Sequence, residues 1–325
     1  MDFEGIAQAA ELLRRGQLVA FPTETVYGLG ADARNPDAVA RIFAAKGRPA
    51  DHPVIVHVAS ISALAIWGVN VPAAARGLAE AFWPGPLTLI VKKAAFVPHA
   101  VTGGQETVGL RCPSHPVAQE LLKAFAKMGS GSIAAPSANK FGHVSPTTAE
   151  HVRDEFGPDL FVLDGGACDV GLESTIVDLS RGEPVLLRPG AVSREDIHSV
   201  LGKYPLQRDE AAPRASGTLE AHYAPRTALA LVTPAALDDQ VRGFANVAVL
   251  ARRDPPRHAL VTMWIAAPHD AARYGHDLYA NLRRLDAGGA KRILVEAPPQ
   301  APEWEAVNDR LGRAAAGAGL EGDEP

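Results

Sequence analysis

The sequence predicts an α/β protein: a large mixed sheet flanked by helices in the first two thirds, followed by a small open α/β domain. Short apolar runs alternate with stretches whose apolar residues recur at helical spacing. Between residues 161 and 187 several β-rich runs follow one another with no helix between them, which a purely parallel sheet does not allow. Residues 206–226 lose periodicity and gain proline, glycine and charge before the alternation resumes. The expected division is a first domain over residues 1–205, a linker over 206–226 and a second domain over 227–325.

Within residues 5–15, Ile6, Ala9, Ala10, Leu12 and Leu13 lie on one helical face, so an amphipathic helix comes first. It feeds a strand at 17–21, which Pro22 ends because proline has no N–H for a ladder; the segment after it reads as a polar loop. Further strands are expected at 54–58, 87–91, 108–110, 133–135, 161–163, 175–179 and 185–187. Helices are expected at 36–45, 72–82, 116–127 and 147–156, the last with Ser145 as N-cap and Pro146 at its first position. Beyond the linker come strands at 228–232, 247–251, 261–266 and 292–296 and helices at 235–244, 271–285 and 304–316. The closing residues 321–325 are expected to fray.

Hydrophobic residues make up 47% of the 325 and charged residues 21%, which excludes a disordered, collagenous or coiled-coil chain. Lys and Arg number 32 against 37 Asp and Glu, so the whole molecule does not suit non-specific coating of nucleic acid or anionic membrane, and any phosphate site is local. Cys112 and Cys168 are too few for a disulfide framework and lack zinc-site spacing, as expected in a reducing compartment. The acidic opening Met1-Asp2-Phe3-Glu4 lacks signal-peptide features, and no apolar run approaches the ~20 residues of a membrane span. The expected location is the cytoplasm.

Pro22-Thr23-Glu24-Thr25-Val26-Tyr27-Gly28-Leu29-Gly30 places hydroxyls and a carboxylate directly after a buried strand, where open α/β sheets put ligands; alone it could equally be an edge loop with local caps. Gly28-Leu29-Gly30-Ala31-Asp32-Ala33 loosely fits a dinucleotide fingerprint, but the candidate acid, Asp51, precedes a strand instead of ending one. Lys46-Gly47-Arg48-Pro49 puts two cations on a constrained turn, a phosphate clamp or a solvated surface pair. His57 interrupts an apolar strand, as a core histidine or a ligand. Pro136-Ser137-Ala138-Asn139 is a polar strand end without the phosphate-loop signature, and the turn at Ser145-Pro146 suits an anion. Ser174-Thr175, Arg111 and Arg188 add hydroxyls and cations at strand ends. No Ser-His-Asp order, His-Glu-x-x-His helix or metal-ligand spacing is present. This inventory suits positioning and charge stabilisation of a phosphoanhydride.

Taken in order, Pro22-Thr23-Glu24-Thr25-Val26-Tyr27-Gly28-Leu29, Lys46-Gly47-Arg48-Pro49, Gly85-Pro86-Leu87-Thr88, Arg111-Cys112-Pro113, Pro136-Ser137-Ala138-Asn139, Ser145-Pro146-Thr147, Ser174-Thr175-Ile176 and Arg188-Pro189-Gly190 resemble the YrdC/Sua5 family. The ending His222-Tyr223-Ala224-Pro225 and the small domain after it resemble its longer, Sua5-type members. Ala215-Ser216-Gly217-Thr218 departs from the family, where Ser/Ala-Pro-Gly-Met is expected.

The resemblance implies a YrdC-like twisted mixed sheet with a Rossmann-like C-terminal domain. It implies a nucleotidyltransferase that condenses L-threonine, bicarbonate and ATP to threonylcarbamoyl-AMP and pyrophosphate, with Mg2+ carried on the phosphates and no dedicated protein metal site. The product would feed downstream tRNA threonylcarbamoyltransferase components that form N6-threonylcarbamoyladenosine. Thr25, His57, Arg111, Ala135 and Ser174 would hold threonine. Lys46, Arg48, His52, Thr107, Ser137, Asn139, Ser145, Arg188 and Tyr223 would hold ATP, with Lys46 and Arg48 catalytic. The alternative is a module that binds RNA, double-stranded RNA included, through a concave basic face built from Arg34, Arg41, Lys46, Arg48, Lys92 and Lys93; the acidic total argues against it as the main role.

Overall fold

Ten short strands make the sheet of the first unit: β1 (Val19–Phe21), β2 (Gly28–Asp32), β3 (Val56–His57), β4 (Leu87–Lys92), β5 (Thr107–Arg111), β6 (Ile133–Ala134), β7 (Phe161–Val162), β8 (Thr175–Asp178), β9 (Val185–Arg188) and β10 (Leu206–Gln207). The computed structural model describes residues 2–257 and 259–318, so the tail expected to fray lies outside the described residues. It divides into two units, Met1–Phe141 with Pro146–Thr218, and Gly142–Ser145 with Leu219–Pro325.

The strand order is β10-β9-β8-β4-β5-β3-β6-β2-β1-β7. It is mixed, as expected: β4 runs antiparallel to β5 and parallel to β8, while β3 is parallel to β5 and antiparallel to β6. Because successive strand side chains point to opposite faces, Ala20 and Leu89 enter one core and Val19 and Phe21 another. The first core is covered by the helices Pro36–Lys46 and Ala73–Phe82, through Val39, Ile42 and Leu78. On the opposite face the helices Phe3–Arg14 and Pro116–Ala126 pack Leu13, Leu121 and Phe125 against Phe21 and Ile133. A third cluster, Ile55, Ile90, Ile176, Val185 and Leu187, is partly covered by Ala212 and Ala215.

Several expectations need correction. The segment after Pro22 is a loop only as far as Tyr27; Gly28-Leu29-Gly30-Ala31-Asp32 is the strand β2. Its glycines hid it, yet the packing requires one of them: a Cβ on Gly30 would lie 2.7 Å from Ile133 Cγ2 and 2.9 Å from the Phe21 ring. This also disposes of the dinucleotide fingerprint, since these glycines lie within a strand. The helix expected at 147–156 spans Ala149–Phe156, and its N-cap is Thr148, whose hydroxyl accepts the His151 N–H, not Ser145. Short helices at Ala63–Trp67, His99–Thr102 and Arg194–Leu201 were not apparent in the sequence.

The second unit holds a four-stranded parallel sheet, β11 (Leu229–Val232), β12 (Val247–Ala251), β13 (Met263–Ala266) and β14 (Arg292–Glu296), in the order β11-β14-β12-β13. Its helices are Leu237–Gly243, Ala271–Ala287 and Glu305–Gly317. Within this unit Tyr223 is buried at φ +62°, its ring packed on His222 and Tyr279 and facing the fully buried Arg310 guanidinium at 5.3 Å. Among the described residues no helix is long and apolar enough to cross a membrane.

Candidate active site

Register lines up the chemistry. Arg188 on β9 pairs with Ile176 on β8, Ile176 with Thr88 on β4, Thr88 with Arg111 on β5, Arg111 with His57 on β3, and His57 with Ile133 on β6. Directly paired residues share a sheet face, so Arg188, Ile176, Thr88, Arg111, His57 and Ile133 form one row across it, with Thr88, Arg111 and His57 contiguous and Arg188 set off from them by Ile176. A bulge makes this row possible. Val177 pairs with Leu186 while Ile176 pairs with Arg188, so Leu187 is the extra residue and Arg188 returns to the face that strict alternation would deny it.

At one end of the row, the loop after β1 folds around the Thr23 hydroxyl, which donates to Val26 O at 2.7 Å, accepts from Thr25 N and Val26 N at 3.2 Å, and meets Thr25 Oγ1 at 2.9 Å. This turn buries Thr23, Glu24 and Thr25 beside Arg111, whose Nη2 lies 2.7 Å from Glu24 Oε1 and 3.4 Å from Thr23 Oγ1. Burial, together with the Arg111 charge, pushes the His57 imidazole down to about 3, so it is neutral at physiological pH. The Ala135 N–H is spent on Ile55 O at 2.9 Å, leaving its carbonyl as the group that could meet a ligand.

Farther along, Arg188 clasps Ser174, with Nε donating to its carbonyl at 3.0 Å and Nη2 to its hydroxyl at 3.1 Å, and that hydroxyl also meets Thr88 Oγ1 at 2.7 Å. Lys46 ends its helix where Gly47 turns left-handed at φ +66°, and its buried amine donates to Ser137 O at 2.6 Å and to Asn139 O. Burial, with Arg48 nearby, holds the Lys46 amine well below its usual range. Arg48 donates to Pro53 O at 3.0 Å and faces the Phe141 ring, against which the His52 ring packs edge-on; burial and Arg48 depress His52 as well. Half-buried Thr107 lines a cavity with Pro53, Ile55, Gly109 and Ser216.

Ser216, from the segment expected to be a linker, joins the two arginines. Its carbonyl accepts from Arg188 Nη1 at 2.9 Å and its hydroxyl from Arg48 Nη2 at 3.5 Å. The first unit thus brings Thr25, His57, Arg111 and Ser174 into one connected set, Lys46 with Ser137 and Asn139 into another, and Arg48 with Arg188 through Ser216. Ser145 and Tyr223 belong to the second unit. Glu24, Thr88 and Ser216 are site residues for which the sequence reading named no role, although Glu24 and Thr88 stand inside the motifs that drew attention.

The cysteines stay out of this chemistry: both are buried, and burial pushes the Cys168 thiol up to about 12, so it is not a nucleophile. Of the residues named for the basic face of the RNA-binding alternative, Arg34, Arg41 and Lys92 are exposed and the other three are covered. Lys46 and Arg48 are buried, Lys93 keeps its side chain covered, and Arg34 stacks over Trp67 and Phe96.

The profile of the Sua5/YciO/YrdC family, described as "Telomere recombination", matches residues 11–190, and that described as "Threonylcarbamoyl-AMP synthase, C-terminal domain" matches residues 192–316. The chain belongs to the Sua5 family. Two Sua5-family relatives, each named threonylcarbamoyl-AMP synthase, match along nearly their whole length. The one from Pyrococcus abyssi is 39% identical over 94% of this chain and 92% of its own, and the one from Bacillus subtilis 40% identical over 96% and 93%. The crystal structure of P. abyssi Sua5 complexed with L-threonine superposes with a TM-score of 0.86 at 37% identity, covering 96% of this chain and 94% of that one. The Sua5 fold, a large mixed sheet with a second parallel-sheet domain, is therefore the fold of this chain.

Proposed function

We propose that this chain is an enzyme that makes threonylcarbamoyl-AMP from L-threonine, bicarbonate and ATP, releasing pyrophosphate. The observation that carries this reading is the row that brings Arg188, Thr88, Arg111 and His57 to one sheet face, in a chain whose relatives, matched along nearly their whole length, bear that enzyme's name. The row places a carboxylate-binding guanidinium, Arg111, a few strands from a second guanidinium, Arg188.

Threonine enters with its carboxylate on Arg111 and its side chain near Thr25, the Ala135 carbonyl, Ser174 and neutral His57. Its neutral amine nitrogen attacks the carbon of carbon dioxide, a C=O π pair moving onto oxygen and the nitrogen losing a proton to solvent, or attacks bicarbonate with loss of water, and a carbamate forms. A carbamate oxygen then attacks the α-phosphorus of ATP; the bond to the bridging oxygen breaks and pyrophosphate leaves with that electron pair. Both partners are anions, so the work of the site is to offset their repulsion and to align them. Lys46, Arg48 and Arg188 do the former, while Ser137, Asn139, His52 and Thr107 fix the nucleotide. Anionic phosphate beside Lys46 returns its amine to the charged form that burial disfavours.

Among the described residues no three His, Cys, Asp or Glu side chains cluster to hold a metal ion. The site's cations fit phosphates arriving with Mg2+ already on them, where the ion would add positive charge to the leaving group. On this reading the reaction is a nucleotidyl transfer, carried out in the cytoplasm by the residues of the first unit named above, and its product goes to a tRNA threonylcarbamoyltransferase.

The test is pyrophosphate release by the purified protein with ATP and magnesium, omitting threonine and bicarbonate in turn, with the nucleotide product identified by mass. Release that needs both, giving the mass of threonylcarbamoyl-AMP, is the expected result. No release from folded protein that binds ATP would overturn the reading.

A further inference from the structure

Glu24 is a buried acid that the ligand roles above leave unused. It is 4% exposed, and its carboxylate is fixed from two directions: Oε2 accepts the Ser114 N–H at 3.0 Å, and Oε1 lies 2.7 Å from Arg111 Nη2. Its main-chain carbonyl accepts the Val170 N–H at 2.7 Å, so the backbone beneath the side chain is anchored too. The contact with Arg111 is a contact of charges. No donor is aimed at Glu24 Oε1, and Arg111 Nε has no hydrogen-bond partner. The guanidinium is therefore held in place while part of its hydrogen-bonding capacity stays unspent, apart from the 3.4 Å contact to Thr23.

We propose that Glu24 is a positioning residue for Arg111: it holds the buried guanidinium at the end of β5 by charge, oriented to receive the carboxylate of an incoming amino acid. This rests on the reading of Arg111 as the threonine carboxylate site. A guanidinium only 4% exposed needs a counter-charge, and a flexible one would collapse onto nearby carbonyls and lose its aim. Two main-chain N–H groups from separate segments, those of Ser114 and Val170, make Glu24 a rigid support for it. The carboxylate belongs to the support and does not take part in the reaction.

The test is steady-state kinetics with threonine and ATP varied separately on wild type, Glu24→Gln, Glu24→Asp, Arg111→Lys and the Glu24→Gln/Arg111→Lys double variant. Glu24→Gln keeps the volume and the acceptor for Ser114 but removes the charge. KM for threonine should rise ~10–100-fold, as for loss of a support behind a ligand-binding group, with KM for ATP within about twofold of wild type. Glu24→Asp, which keeps the charge on a shorter stem, should fall between. In the Arg111→Lys background Glu24→Gln should add less than about twofold, because a residue acting only through Arg111 has nothing left to position. An unchanged or lower KM for threonine in Glu24→Gln, equal losses for both substrates, or full additivity with Arg111→Lys would each overturn the proposal. If Glu24→Gln does not fold, Glu24→Asp decides by the same split between substrates. A wild-type protein with no threonine-dependent release would instead sink the parent reading.

Discussion

Arg111 and His57 sit opposite each other in the parallel pairing of β5 and β3, and the guanidinium works with burial to keep the imidazole uncharged. The consequence is a pH dependence of stability with a definite sign. An unfolded His57 takes up a proton as pH falls through about 6.5, whereas the folded one resists until about 3. The folded state binds fewer protons in that window, so its stability is complete above about 6.5 and drains away as pH drops. The slope should approach ~1.4 kcal/mol per pH unit. Urea unfolding of wild type and His57→Gln at pH ~7.5, ~6 and ~5 measures it. The variant should show the shallower decline, and parallel declines would mean another group titrates.

Lys46→Ala should lower turnover by ~10²–10³, the range for removing one charge donor from a transition state. Its amine is already cradled by Ser137 O and Asn139 O, so the variant also leaves two carbonyls without their donor, and some loss of stability should accompany the kinetic loss. Pyrophosphate release at saturating ATP and threonine separates the two effects. Full turnover would remove Lys46 from the phosphate role.

Arg188→Lys should cost ~10–100-fold in kcat/KM for ATP. A lysine cannot reproduce the fork that grips the carbonyl and hydroxyl of Ser174 and the carbonyl of Ser216 together, and hydrogen bonds to a charged group contribute ~1.5–3 kcal/mol. Initial-rate measurements with ATP varied settle it; wild-type kinetics from the lysine variant would show that charge alone suffices there.

Gly30→Ala should destabilise the first unit by about 1–3 kcal/mol, since its methyl would press into Ile133 and Phe21. Denaturant unfolding reads this directly. A variant as stable as wild type would show that both neighbours can move aside.

Most of the fold was legible because apolar periodicity marks strands and helices wherever their faces are covered; the strands at 247–251 and 292–296 sit where the pattern put them. What failed has physical causes. β2 is built from Gly-Leu-Gly-Ala-Asp, poor in strand formers, because Ile133 and Phe21 leave no space for a side chain at Gly30. Ser145-Pro146 looks like a helix start, but the side-chain cap came from Thr148, three residues beyond Ser145. Polar residues at strand ends announced a site, but pairing register is a long-range property, so nothing local in Val185-Leu186-Leu187-Arg188 reveals that Leu187 is the extra residue. Ser216 was hidden for another reason: its contact with Arg188 runs through a main-chain carbonyl, which every residue type possesses.

The bulge at Leu187 and the row it completes also determine which kinds of genetic change the site can survive. Exchanging one side chain in β4, β5 or β8 alters a single contact. Deleting or inserting one residue there turns every following position in that strand through the sheet, sending Thr88, Arg111 or Ile176 to the opposite side from its neighbours. For these strands the count of residues is a stricter inheritance than their identity. A one-codon deletion just before Arg111 should be as damaging as losing Arg111 itself, while one just before Arg188 would convert the bulge into regular pairing, with Leu187 absorbing the change.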